Sequence, residues 1–233
     1  MNLPDFMDHL TRDLTEAVLS GEYICALRIC RDALARPEIG PERIHQLVVL
    51  PTIRAVGQAS ADDSATFEQT SLAHILLHRL LEHIARRNGT GSAPQTALPL
   101  HDARVMVTVA PGDTHDFGAQ ILSQSLRLSG WPVTFCGHRQ RDKVMPTLAR
   151  QSYSALAISV SCDENLDGLA DFVMTSRAAS TSPKLNVIVG GAAIQPPFAQ
   201  YDFLGADRVG LAIDEVASYL SNMTPAIPAE RWN

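Results

Sequence analysis

The chain has 233 residues, 45% of them hydrophobic, a formal net charge of −6 and a pI near 5.7. That size suits one large domain or two small ones with a real core, and the acidic balance argues against the chain as a whole seeking nucleic acid, which needs a basic face. No apolar run of about 18 residues exists to cross a bilayer, and the opening MNLPDFMDHLTRDL carries early acids and no apolar signal core, so a cytoplasmic protein is expected.

Residues 5–36 read as one or two helices, with Leu14, Val18, Leu19, Ile24, Leu27, Ile29 and Leu34 at roughly helical spacing. Pro37, Gly40 and Pro41 break the pattern. It resumes over 42–57 through Ile44, Leu47, Val48 and Leu50, where Pro51 must kink or restart the helix. ASADDSA, residues 59–65, is a polar loop. Residues 66–87 predict a strongly amphipathic helix opened by Phe67, with Leu72, Ile75, Leu76, Leu80 and Ile84 as its apolar stripe. Residues 1–87 are therefore expected as a small helical bundle. NGTGSAPQTALP, residues 88–99, is rich in turn formers, and we assign 88–100 as a linker.

After the linker the pattern changes. Strands are expected near 103–110, 132–136, 154–160, 185–190 and 206–210, and helices near 115–129, 141–152, 164–180, 192–200 and 212–222. Five βα units with continuous apolar strands imply a parallel sheet with helices on both faces, over residues 101–223. Residues 224–233 are left as a tail, with Trp232 either loose or a docking anchor. Ligands on such sheets sit at the carboxyl ends of the strands. Cys25, Cys30, Cys136 and Cys162 have no CxxC spacing and read as reduced core thiols. Arg139, Arg141 and Lys143 form a local basic run, which reads most simply as a solvated loop and helix start.

The turn after the first strand, APGDTHDFG at 110–118, carries neither GxGxxG nor GxxxxGK[ST], so it is not a dinucleotide or P-loop turn. Nor are the paired acids and lysine of a phosphoacceptor receiver present. What remains is D-x-H-x-x-G: Asp113, His115 and Gly118. An imidazole can offer one nitrogen to a metal when a carboxylate holds the other. One histidine is too few for structural zinc but suits a metal already ringed by a macrocycle. Gly118 removes a side chain where a large flat ligand would approach. A helix N-cap at Asp113 followed by a solvated histidine fits these three residues as well.

With SVS at 159–161 and GG at 190–191, APGDTHDFG resembles the cobalamin-binding domain family. That family carries [DE]-x-H-x-x-G after its first strand, S-x-[LT] after its third and GG after its fourth. The resemblance covers about residues 100–222. It implies a flavodoxin-like, Rossmann-like α/β fold, a five-stranded parallel sheet preceded by a helical bundle cap. It implies His115 as the lower axial ligand to cobalt, held by Asp113. Ser159 would contact the nucleotide tail of the cofactor, and Gly190 and Gly191 would leave room for it. Thr114, Asp116, Phe117, Gly118 and Ser161 complete the expected cofactor-contact set, although Ser161 departs from the usual leucine or threonine. His138, after the second strand, would contact a corrin side chain or stand as a plain loop histidine.

The segment 42–84 resembles the family's cap, but Ser60 stands where a tryptophan follows the cap glycine, here Gly57, and Glu68-Gln69 stands near a Glu-His. His74 and His78, spaced i,i+4, would offer an upper ligand or a metal pair, or stand as partly exposed helix residues. The short layout, without a helix-turn-helix, is similar to stand-alone AerR/PpaA-type antirepressors of purple bacteria, which bind cobalamin and act by protein contact on a photosynthesis-gene repressor, CrtJ or PpsR. The resemblance implies a non-enzymatic photoreceptor or ligand sensor in transcription regulation, loaded with hydroxo- or adenosylcobalamin. Its partner would be a DNA-binding repressor, with no nucleic acid or membrane of its own. Two alternatives on the same fold are a corrinoid methyl carrier of a methyltransferase system and a haem-binding sensor. A third is an interaction domain that has lost its cofactor.

Overall fold

A computed structural model describes residues 3–39, 43–87 and 103–223. The chain divides into two compact units, Met1–Thr96 and Ala97–Asn233. The expected linker and the tail with Trp232 lie outside the described residues.

The first unit is helical. Helices α1 (Leu3–Leu19) and α2 (Tyr23–Leu34) are separated at Gly21, whose φ of +77° is a conformation that only glycine adopts cheaply. A π-helical turn, His45–Val49, leads into α3 (Leu50–Ala61), with Pro51 in the first turn, where a missing N–H costs nothing. Helix α4 (Phe67–Arg87) starts with a capping box: the Thr66 N–H donates to Gln69 Oε1 (2.9 Å), and the Gln69 N–H donates to Thr66 Oγ1 (3.3 Å). Its buried side is Ala73, Leu76, Leu77, Leu80, Leu81 and Ile84. The expected stripe was therefore rotated. Leu72 and Ile75 are exposed, as are Phe67 at the helix start and Ile24 on α2. The packing maximum falls on the 73/77/80/84 row, which the smaller Ala73 hid from a count of large apolar residues.

The second unit is a five-stranded sheet in the order β2-β1-β3-β4-β5, every pair parallel. Its strands are β1 (Val105–Val109), β2 (Val133–Cys136), β3 (Ala155–Ser159), β4 (Asn186–Gly190) and β5 (Arg208–Val209). This is the flavodoxin-like order, whose switch point lies between β1 and β3. Because both faces are covered, β1 is buried at all five positions. Val105, Val107, Ala155, Ala157 and Ile188 pack on α5 (Phe117–Leu128) and α8 (Ile213–Met223). Met106, Leu156, Ile158, Val187 and Val189 pack on α6 (Val144–Leu148) and α7 (Leu169–Ala179).

Three expected helices differ. The one near 141–152 is a 3-10 turn, His138–Lys143, followed by the short α6. The one near 164–180 is a 3-10 turn, Asp163–Leu166, separated from α7 by Gly168 at φ +73°. The one near 192–200 is absent. Pro196 and Pro197 disfavour helix before them, and a 3-10 turn forms later, at Phe198–Leu204. Tyr201 holds the intervening loop: its O–H donates to the Ala193 carbonyl (3.0 Å) and its oxygen accepts from the Gln195 N–H (3.1 Å).

All four cysteines are free. Cys30 and Cys136 are buried, and burial pushes the Cys30 thiol up to about 12. Cys25 and Cys162 are only partly buried, so the core-thiol expectation describes two of the four. Among the described residues, no helix is long and apolar enough to cross a membrane.

Candidate functional site

The turn after β1 is fixed before any side chain acts. The Ala110 N–H donates to the Ser159 carbonyl (2.9 Å), extending β1 along β3, and the Asp113 N–H returns to the Ala110 carbonyl (3.2 Å). Gly112, at φ +82°, makes the bend. This places Asp113 at the switch point with its side chain fully buried. A buried carboxylate needs donors, and it has three. Oδ1 accepts the His115 N–H (2.9 Å) and the Ser161 hydroxyl (2.6 Å), and Oδ2 accepts the Ser161 N–H (2.8 Å). One side chain thus ties the loop after β1 to the loop after β3.

His115 is the opposite case. Its side chain is 66% exposed, yet Nδ1 lies 3.3 Å from Ser161 Oγ and 3.4 Å from Asp113 Oδ1. With the serine proton given to Asp113, both neighbours of Nδ1 are acceptors. The Nδ1–H tautomer is then the one that completes the network, and Nε2 keeps its lone pair. The arrangement offers one well-oriented nitrogen donor, backed by an anion that strengthens it. Among the described residues, no group of three or more His, Cys, Asp or Glu converges as a metal cluster.

The glycines follow the same edge. A Cβ on Gly118 would lie 3.1 Å from Ser159 Oγ, so the α5 start and the β3 end are close only because residue 118 has no side chain. Ser159 pairs in register with Gly190, and both lie on the α5/α8 face. Ser159 Oγ makes no hydrogen bond among the described residues, and a Cβ on Gly190 would meet only the Leu211 carbonyl, at 3.8 Å. Gly191 has a different reason. At φ +122° its Cβ would strike the Val160 carbonyl oxygen, and the Val160 N–H donates to the Gly190 carbonyl (2.8 Å).

Asp113, His115 and Ser161 thus form one hydrogen-bonded set, and Gly118, Ser159 and Gly190 lie together on the carboxyl edge of the sheet. Phe117 is half-buried at the start of α5, and Thr114 is exposed, with no side-chain hydrogen bond among the described residues. Asp116 turns away to His138 Nδ1 (3.0 Å) and to the Gln120 amide (3.3 Å). Sequence reasoning missed what Ser161 does. It read the serine as a cofactor contact that departs from a pattern and not as a partner of Asp113, although a small hydroxyl residue two positions after Ser159 was the available signal. His74 and His78 are half-buried on α4. The helical unit has its own groove of about 590 Å³ between α1 and α3, lined by Arg12, Thr15, Leu19, Pro51 and Ala55 among others, and no predicted site residue lines it.

Residues 103–217 match the family model for the B12 binding domain. An uncharacterized 20.5 kDa protein in the bchF-crtJ intergenic region of Rhodobacter capsulatus is 27% identical over 168 residues, which cover 72% of this chain and 85% of that protein. The Methanosarcina barkeri monomethylamine corrinoid protein has a similar fold, with a TM-score of 0.69 at 16% identity over 93% of this chain and 99% of that one. A cobalamin-binding protein from Desulfitobacterium hafniense DCB-2 aligns over 91% of this chain and 97% of its own at 16% identity, with a TM-score of 0.43.

Proposed function

We propose, from the premise that residues 103–217 are a B12 binding domain, that this protein is a cobalamin-dependent regulator rather than an enzyme. The α/β unit supplies the cobalamin site. The regulatory role is our reading of its layout and its relative.

The observation that carries the cofactor side is the Asp113–Ser161–His115 set. His115 would hold cobalt through Nε2. Asp113 and Ser161 would keep the ring in its Nδ1–H form and set how strongly Nε2 donates. Gly118, Ser159 and Gly190 would receive the displaced nucleotide tail, with the free Ser159 hydroxyl as its polar contact, while Gly191 lets the chain pass close to Val160. Thr114, Asp116 and Phe117 complete the surround. When bound, cobalamin would supply a cobalt centre with an exchangeable, light-labile ligand. The residues fit this group, because one exposed, carboxylate-backed imidazole beside an edge kept free of side chains at Gly118 and Gly190 suits a metal already held by a ring. Haem on the same donor is the less favoured occupant.

Support for regulation comes from the relative encoded between bchF and crtJ and from the resemblance to antirepressors that act on CrtJ or PpsR. The partner is then a DNA-binding repressor met through protein contact, and ligand exchange at cobalt biases a two-state protein. A corrinoid methyl carrier is the second reading. It would use the same His115 chemistry, and the monomethylamine corrinoid protein shares the fold over nearly the whole chain.

The test is a visible spectrum after incubation with hydroxocobalamin, dark and illuminated, beside His115→Ala. Mobility shift of a repressor on its DNA, with and without the loaded protein, completes it. The regulator reading expects bound-corrin bands altered in His115→Ala and a repressor whose DNA binding changes. Methyl transfer from loaded protein to an acceptor, with no effect on any repressor, would favour the carrier. Failure to bind either cobalamin or haem would sink the cofactor assignment.

A further inference from the structure

A second Asp–His pair stands beside the first. Asp116 Oδ2 meets His138 Nδ1 at 3.0 Å, and Asp116 Oδ1 accepts from Gln120 Nε2 at 3.3 Å. Neither bond helps to hold His115. Gly137 shows that space is reserved for the pair. Its backbone is ordinary extended chain (φ −67°, ψ −178°), so no unusual conformation calls for glycine there. A Cβ at 137 would instead lie 2.6 Å from Asp116 Oδ2 and 3.1 Å from the Phe135 ring. The turn that carries His138 is also tied to the His115 loop, because Arg141 donates to the Ala110 carbonyl at 3.3 Å.

With Asp116 accepting at Nδ1, a neutral His138 keeps its lone pair on Nε2, as His115 does. The His138 side chain is 32% exposed at the carboxyl end of β2, on the edge where the His115 loop also lies. The chemistry around the two rings differs. His115 has an entirely buried carboxylate behind it and an open ring in front. His138 is two-thirds buried and held by Asp116, the residue before α5, which suits a contact at the margin of a ligand rather than at its centre.

We infer that His138 is a second cofactor contact, one that accepts a hydrogen bond from the amide-bearing rim of the corrin, with Asp116 as its positioning residue. The inference rests on the cobalamin reading above. The corrin rim carries neutral primary amides, and an imidazole whose Nδ1–H is committed to a carboxylate offers the single acceptor that an amide N–H requires.

Two probes test it: cobalamin, and cobinamide, which keeps the amide rim but lacks the nucleotide tail. Affinities and visible spectra are measured for the wild type, His138→Ala, His138→Gln and Gly137→Ala, with circular dichroism to show that each variant is folded. His138→Ala weakens both corrinoids by about three- to tenfold, the range for one hydrogen bond, and leaves the band positions of bound cobalamin unchanged. His138→Gln, which restores an acceptor, recovers much of the loss. Gly137→Ala, which displaces the Asp116 carboxylate, mimics His138→Ala. Unchanged affinity for both probes in folded His138→Ala overturns the inference. A loss confined to cobalamin overturns the rim assignment and moves the contact to the tail. Displaced bands overturn it by making His138 act through cobalt. A wild type that binds neither probe sinks the cobalamin reading itself, an outcome distinct from the other three because no variant need be compared.

Discussion

The two units bury polar groups for different ends. In the helical unit, the buried Thr52 and Thr70 bond to carbonyls one turn back along the chain, Val48 in the π-helical turn (2.8 Å) and Phe67 in α4 (3.1 Å). Those bonds satisfy a hydroxyl and join nothing else. In the α/β unit, the buried Asp113 collects donors from two separate loops and leaves an exposed imidazole at their junction. Convergence on one open edge marks chemistry; local self-satisfaction marks packing. At the two cap positions where this sequence departs from the family's pattern, Ser60 is exposed, and Gln69 is spent on the capping box that starts α4.

The largest effect that sharpens the comparison belongs to packing. Leu77 is wholly buried in α4, and Leu77→Ala is expected to cost about 2–5 kcal/mol of stability. Denaturant unfolding measures that loss, while the visible bands of bound cobalamin keep their positions. Displaced bands at full folding would break the comparison by giving the helical core a part in the chemistry. Asp113→Ala comes next. It strips the acceptor from the Ser161 and His115 amides, which costs about 1–3 kcal/mol for a buried group left unpaired. If His115 holds cobalt as proposed, the change is also expected to weaken cobalamin binding about 10- to 100-fold, the usual effect of losing a ligand's outer partner. Ser161→Ala is milder. It keeps the carboxylate and both amide bonds and removes only the hydroxyl, so a loss of about 1 kcal/mol is expected, with a change in bound-cobalamin bands as the ring loses one of its two restraints. An unchanged spectrum in Ser161→Ala would leave Asp113 alone to orient His115.

The α/β unit was largely legible because its signals are local. Three apolar runs, at β1, β3 and β4, must be buried strands, and βα alternation must make them and their edge partners parallel. DxHxxG named its own turn. Two of the three helix boundaries that failed did so at residues whose effect is backbone conformation: Gly168 cut one helix, and Pro196-Pro197 removed another. The role of Ser161 was not legible, because its hydroxyl meets a carboxylate 48 positions away and only the β1–β3 adjacency brings them together. Asp116 and His138, 22 positions apart, are the same kind of case. In the helical unit, periodicity gave the helix but not its phase. Leu and Ile stand on both sides of α4, and their spacing alone cannot say which side meets α1 and α3.

That phase supplies the smallest expected effect. Ile75 is 57% exposed, on the side of α4 away from Leu77 and Leu80, and Leu72 next to it is 41% exposed. Ile75→Ser removes little buried surface, so its cost is expected within about 0.5 kcal/mol, the range of ordinary surface changes. The same substitution on the sequence-derived stripe, where Ile75 was a core residue, would cost several times more, because a polar group would then replace a buried isobutyl-sized side chain. Unfolding of Ile75→Ser beside Leu77→Ala therefore measures the phase of α4 directly. A large Leu77 term with a near-zero Ile75 term fixes the buried row as 73/77/80/84. Comparable losses at both positions would mean that α4 is covered on two sides, and its apolar Leu72–Ile75 face would count as packing rather than as surface.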